Sequence, residues 1–363
     1  MKSVRLSIML AILVLVFFLS SCRQEKPVAE PSCEQHADTA AVTYRLHPDL
    51  TTDVLLRITP VKDQGASALC WAYAMLATIE TEHLMQNDSV NLSADFVARM
   101  FLNEQAAQRF MATDKQDVTT RGIATMLLRL IQTYGVTRFD SYMRRDDCNM
   151  NVLSRSLQQI IDTSPTLEKM NNRIGEKMDS DMGPLPRAVY MEGVEYTPVE
   201  FAHSVCRADE YEGFTSFTHH LFGERFLLEV PDNRYHDAFL NLPIDSLMQR
   251  VETALRNGHP VCWEGDSSED GFAFDKGMAS LHHEDRMATQ EHRQRSFENG
   301  QTTDDHCMEI IGMAHDKDGR RYFICKNSWG THNPFGGLMY LTENYVRMKT
   351  IAVIMPQDLK PIP

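Results

Sequence analysis

At 363 residues and 41.5 kDa, with 43% hydrophobic and 24% charged side chains, the chain has ordinary globular composition and enough length for one large core or two domains. Its formal net charge of −14 repels polyanions on average, which argues against a nucleic-acid binder. It carries no fixed-period repeat and no long biased tract, so neither a solenoid nor a long disordered tail is expected.

In chain order, the first segment reads as an address. Lys2 and Arg5 precede the apolar run LSIMLAILVLVFFL, which ends in SSC and is short for a permanent membrane span. Leu19, Ser20, Ser21 and Cys22 resemble a bacterial lipobox, which implies cleavage before Cys22, lipidation of its thiol and retention at a membrane of the cell envelope. Residues 1–21 are therefore read as a lipoprotein signal peptide. Residues 22–50, polar with Pro27, Pro31 and Pro48, are read as a lipid-attached tether, and residues 51–363 as the folded body.

DVLLRITPVKDQGA reads as an extended segment entering a turn. From Cys70 to about Met85, Trp71, Met75, Leu76, Ile79 and Leu84 fall at helical spacing without Gly or Pro. Ser93 is the expected N-cap of the next helix, and TTRGIATMLLRLIQTYG reads as a third, closed by Gly135. SRSLQQIIDTS and PIDSLMQRVETALRNG read as further helices, and FTSFTHH, RFLLEV and HPVCWEG as strands. Residues 267–305 are polar and read as a long loop or surface excursion. CMEIIGMA, the turn HDKDG and RRYFICKNSW make a β-hairpin, with GGLMYLTENYV and TIAVIM as closing strands. Helices early and strands late predict an α+β fold, a helical face packed on an antiparallel sheet.

Of eight cysteines, Cys22 is assigned to the lipid. Seven remain, and an odd number in an exported protein leaves at least one thiol free or in an intermolecular bond. No CxxC pair supports a zinc knuckle or a redox centre. Cys70 is the candidate nucleophile. A thiol attacks carbonyls as its thiolate, which a helix N-terminus and a nearby imidazolium both stabilise, bringing the pKa from about 8.5 to roughly 3.5–7.5. DDHCMEIIGMA offers His306 as the imidazole, and ICKNSWG offers Asn327 to orient it.

The blocks TPVKDQGASALCWAYA, DHCMEIIG and KNSWG resemble the three catalytic blocks of the papain-like cysteine peptidases. That resemblance implies Cys70 as nucleophile, His306 as general base and acid, and Asn327 as the group that holds the imidazole. Gln64 and the Cys70 backbone N–H would form the oxyanion hole, and Trp329 would shield the Asn–His pair. The implied fold is a helical subdomain against an antiparallel β-sheet or barrel subdomain, with the active site in the cleft between them. His306 lies 236 positions after Cys70 (306 − 70), against about 130–150 in papain, so an insertion is expected at about 140–260. LSADFVARMFL, LLRLIQTYGV, TPVEFAHSV and PIDSLMQRVETALRNGHPVCWEGD resemble blocks of the bleomycin hydrolase, or aminopeptidase C, branch.

Several residues depart from that pattern. Ser67 replaces a disulfide cysteine, Leu69 precedes the nucleophile, VTTRGIA replaces a glycine-rich cleft stretch, and Cys307 stands where alanine is usual. The C-terminal PQDLKPIP is shorter than the arm that blocks the cleft in that branch. The expected function is a cysteine peptidase acting on peptide or protein substrates, with an aminopeptidase as one form, no metal or organic cofactor, and no nucleic-acid partner. A catalytically weak papain-fold binding or scaffolding lipoprotein is the alternative. His315, in its turn, reads as a surface histidine, and His282, His283, Glu284 and Asp285 as a solvated loop rather than a metal site. Cys206, Cys262, Cys307 and Cys325 read as core positions.

Overall fold

The helix that starts at the candidate nucleophile is apolar around most of its circumference, and such a helix has to lie inside the molecule. In the computed structural model, which describes residues 42–284 and 286–362, this helix (α1, Cys70–Met85) is buried from Cys70 through Glu82. It follows β1 (Thr51–Leu55) and packs between other helices and the central strands of the sheet. Helix α2 (Ala94–Met111) is capped as expected: Ser93 Oγ accepts from the Phe96 N–H at 3.1 Å. Helix α3 (Ala124–Tyr134) ends at Gly135, where φ is +85° and a Cβ would lie 2.2 Å from the Pro198 carbonyl carbon, so only glycine fits. Helices α4 (Met150–Thr163), α5 (Leu167–Met182) and α6 (Pro198–Val205) complete this layer.

Two of these helices have further signals in the sequence. Met170, Ile174, Met178 and Met182 recur every four residues and form the buried edge of α5. Thr197 and Glu200 make a reciprocal capping box ahead of α6.

The second layer is an eleven-stranded sheet. After the small hairpin β2 (Val189–Met191) and β3 (Val194–Tyr196) come β4 (Tyr211–Thr215), β5 (Arg225–Leu227), β6 (Ala238–Asn241), helix α7 (Ile244–Arg256), β7 (Val261–Gly265), β8 (Phe272–Ala273) and β9 (Met278–Ala279). Helix α8 (Gln290–Glu298), β10 (His306–His315), β11 (Arg321–Lys326), β12 (Leu338–Thr342), helix α9 (Glu343–Lys349) and β13 (Thr350–Pro356) follow. The order is β5-β6-β4-β13-β7-β10-β11-β12-β9-β8, with β1 also on β10. The pairs β4–β6 and β9–β12 are parallel and the rest antiparallel.

Side chains alternate across the central strands. Cys262 and Cys307 face the helical core, and Trp263 and Met308 a second core that includes α7. The fold is α+β, with the two layers meeting along β7 and β10.

Three segments differ from the sequence reading. Residues 267–305 hold two short strands and α8, which Arg293, fully buried, anchors through the Ser216 and Arg347 carbonyls. The strands are two residues each, too short to leave a period in the sequence. Residues 42–50 lie on the body: Tyr44 Oη donates to the Leu56 carbonyl at 2.7 Å, and the His47 N–H to Tyr340 Oη at 3.0 Å. Near the C-terminus, the Ile362 N–H donates to the Asn257 carbonyl at 2.9 Å and His259 Nε2 to the Lys360 carbonyl at 2.7 Å. This tail packs at the Met85 end of α1, roughly 24 Å from Cys70 by the helical rise. The expected signal peptide, Cys22 and Cys33 lie outside the described residues. Among the described residues, no helix is long and apolar enough to cross a membrane.

Candidate active site

Cys70 is the first residue of α1, and the residue before it, Leu69, is fully buried with no side-chain cap. The first intrahelical bonds run from the Ala72 and Tyr73 N–H groups to the Leu69 carbonyl, which leaves the Cys70 N–H as one of the unpaired donors of a helix start. The other members come from the far end of the chain. His306 opens β10 and Asn327 follows β11, so the hairpin brings them together. His306 Nε2 lies 2.9 Å from Asn327 Oδ1. An amide oxygen only accepts, so Nε2 carries the hydrogen and Nδ1 is the nitrogen left for Cys70. Both His306 and Asn327 are 2% exposed.

The Cys70 thiol is held well below its ordinary value, first by a hydrogen bond from Cys307, then by the hydrogen bond and charge of His306; burial opposes both. Cys307 itself is pushed well above its ordinary value, by burial and by the Cys70 charge beside it. It is therefore the thiol that keeps its proton and donates. Expected as core filling, Cys307 is buried and also touches the candidate nucleophile. Cys206, Cys262 and Cys325 are buried free thiols raised by burial, which are inert as nucleophiles.

Gln64 is 6% exposed and oriented by two contacts. Its Nε2 donates to the Ser67 carbonyl at 2.7 Å, and its Oε1 accepts from Ser328 Oγ at 2.6 Å. Because a carbonyl only accepts, the amide cannot flip, and one N–H stays free. The backbone reinforces this: the Gln64 N–H donates to the Ser328 carbonyl at 2.8 Å, and Asp63 bridges to Trp329. Ser328 therefore ties the Gln64 loop to the Asn327 loop, a role hidden inside KNSWG.

Trp329 lies over His306, with ring centroids 4.5 Å apart. Phe272 and Phe274 close on Trp329 edge-on at 5.8 and 5.3 Å. They come from GFAF in the otherwise polar 267–305 segment, whose other phenylalanine, Phe297, packs on Phe217 instead. Cys70, His306, Asn327, Gln64 and Trp329 are thus brought to one place, and Cys22 lies outside the described residues.

Other candidates fall elsewhere. His315 pairs with Asp53 at 3.0 Å on the surface. His282 and His283 are exposed, while Glu284 accepts from Thr342 Oγ1 at 2.7 Å. His219, His220 and Glu229 cluster closely enough to suggest a metal. However, Gln294 Oε1 accepts from the Thr218 N–H and its Nε2 donates to His219 Nδ1 at 2.9 Å. This places the His219 hydrogen on Nε2, donating to Glu229, with no lone pair there for an ion.

The peptidase C1-like family matches residues 190–361, the part that carries His306 and Asn327. Over 181 residues the chain is 25% identical to aminopeptidase G of Lactobacillus delbrueckii subsp. lactis, covering 44% of this chain. The match spans 38% of that relative's length. Among solved structures, PepW from Lactobacillus rhamnosis superposes with a TM-score of 0.64 at 16% identity, over 87% of this chain and 84% of that one, a likeness of fold.

Proposed function

We propose, for a chain that belongs to the papain-like cysteine peptidase superfamily, that it hydrolyses peptide bonds at Cys70. The observation that carries this reading is His306, fixed by Asn327 at 2.9 Å with its other nitrogen turned to a thiol already held low. Cys70 thiolate attacks the scissile carbonyl, and the free Gln64 N–H and the Cys70 N–H accept the growing negative charge. Imidazolium His306 protonates the leaving amine. Neutral His306 then takes a proton from water, which releases the acyl group. Trp329, with Phe272 and Phe274 behind it, keeps bulk water from the His306–Asn327 bond, where exclusion strengthens it.

An electrophilic cysteine-peptidase inhibitor should label Cys70 selectively, as located by mass spectrometry, and His306→Ala should abolish the selectivity. Uniform slow labelling of several cysteines would instead favour a papain-fold binding protein without catalysis. Resemblance of Leu19–Cys22 to a lipobox supports envelope anchoring through lipid on Cys22. Cys22→Ser should then release the protein from membranes, and its continued sedimentation with them would refute the anchor.

A further inference from the structure

A pair of buried carboxyls beside the nucleophile has no part in this mechanism. In the β7–β10 ladder Cys307 stands opposite Glu264, so the Glu264 side chain emerges on the helical face, next to the two thiols. Glu264 is 0% exposed. Its Oε2 accepts from the Ala124 N–H at 3.2 Å, the start of α3. Its Oε1 and Asp304 Oδ2 are buried with no other side chain or main-chain group to bond, and the two carboxyls hydrogen-bond each other only when one of them holds a proton. Asp304 is half-buried as a residue, while its Oδ2 is buried with Glu264.

Neither acid has an ion-pair partner among the described residues. The nearby Arg121 is committed to Asp232 at 2.8 Å and touches Asp304 only through the main-chain oxygen at 3.4 Å. Burying two facing carboxyls with only Arg121 nearby, itself paired to Asp232, is unfavourable, and a fold does not require it. Buried acids left unpaired beside a nucleophile mark a place for a positive ligand group.

Trp329 and the Gln64 loop, tied together through Ser328, lie against His306, while Glu264 and Asp304 lie with residues 121–124 and Cys307. We propose that Glu264 and Asp304 form a subsite for a cationic nitrogen on the acyl half of the substrate. This rests on the peptidase reading. Two sources share that chemistry: the free α-ammonium of a peptide N-terminus, and a lysine or arginine side chain one residue before the acylated one. The described part of the C-terminal tail packs at the far end of α1, and its Lys360 pairs with Asp358 there. Burial raises both acids, Asp304 to about 7 with Asp232 and Cys70 contributing, as for a pair holding one proton until a cation arrives.

Four chloromethyl ketones test this on the intact protein at pH 7.5, read as the rate of the Cys70 adduct. Acetyl-lysyl-glycyl is compared with acetyl-norleucyl-glycyl, and free norleucyl with acetyl-norleucyl. A cationic member at least tenfold faster than its neutral mate supports the subsite, and the accelerated pair identifies the source. Glu264→Gln and Asp304→Asn should each move that ratio towards one. Ratios near one in the wild-type protein, or a ratio unchanged in both variants, would overturn the subsite while leaving the peptidase reading intact. No Cys70 adduct with any probe would refute the peptidase reading, and the subsite with it.

Discussion

Two fully buried glutamates, Glu80 and Glu264, are treated in opposite ways by the fold. Glu80, on α1, is 0% exposed and meets the Lys62 ammonium, the Thr59 hydroxyl and the Leu92 N–H. Lys62 in turn is lowered by burial and supported by Glu80. Glu264, equally buried, has one N–H and a second acid. The first is a structural joint that holds the segment before Gln64 onto α1. The second is a local conflict the fold tolerates, and conflicts of this kind concentrate where a site must bind something.

The largest expected effect comes from breaking the satisfied side. Glu80→Ala leaves the Lys62 ammonium buried without its partner and should destabilise the protein by roughly 3–5 kcal/mol, read as a lower denaturant midpoint. Glu264→Gln should change the midpoint by less than about 1 kcal/mol, because it removes a repulsion along with one hydrogen bond. Equal losses in the two variants would erase the contrast.

At the nucleophile, His306→Ala should slow peptide hydrolysis by about 10²–10⁴-fold and raise the Cys70 pKa, followed by the pH dependence of alkylation. A rate profile unmoved by that change would mean that His306 does not stabilise the thiolate.

The pH dependence of stability separates the two acids further. Asp304 is raised from 3.8 to about 7 in the folded protein, so the folded state binds the proton more tightly than the unfolded one. Its stabilising contribution is full below about pH 4 and is lost as pH rises through about 7. Asp304→Asn should flatten the fall in stability across that window, measured by denaturant melts at fixed pH values.

The smallest effect on rate is expected at Cys307, which moves no proton in the proposed reaction. Cys307→Ala removes the leading hydrogen bond to the Cys70 thiolate, so the Cys70 pKa should rise by an amount comparable to the His306→Ala shift. An unchanged alkylation profile would assign Cys307 to packing alone.

The candidate site was more legible than its surroundings. Cys70, His306 and Asn327 each lie at the start or end of an element with a strong local pattern: an apolar helix, and a hairpin with an HDKDG turn. Their meeting follows once those elements pack. The tie from Ser328 to Gln64 was not legible, because a serine inside a turn gives no sign of its partner 264 positions away. The 267–305 segment was misjudged because its anchors are single residues, Phe272, Phe274 and Arg293, set among polar neighbours.

The sequence alone determined the candidate nucleophile and its helix, the His306–Lys326 hairpin, the α+β class and the resemblance to the papain-like peptidases, since each depends on periodicity or motif within a few residues. Tertiary structure alone decided the rest. The register of β7 on β10 set Glu264 opposite Cys307, and the packing of the C-terminal tail on the Asn257–His259 segment kept that tail away from Cys70. Strand register and tail docking are set by the sum of many side-chain contacts across the core, and a one-residue slip would turn Glu264 to the opposite face.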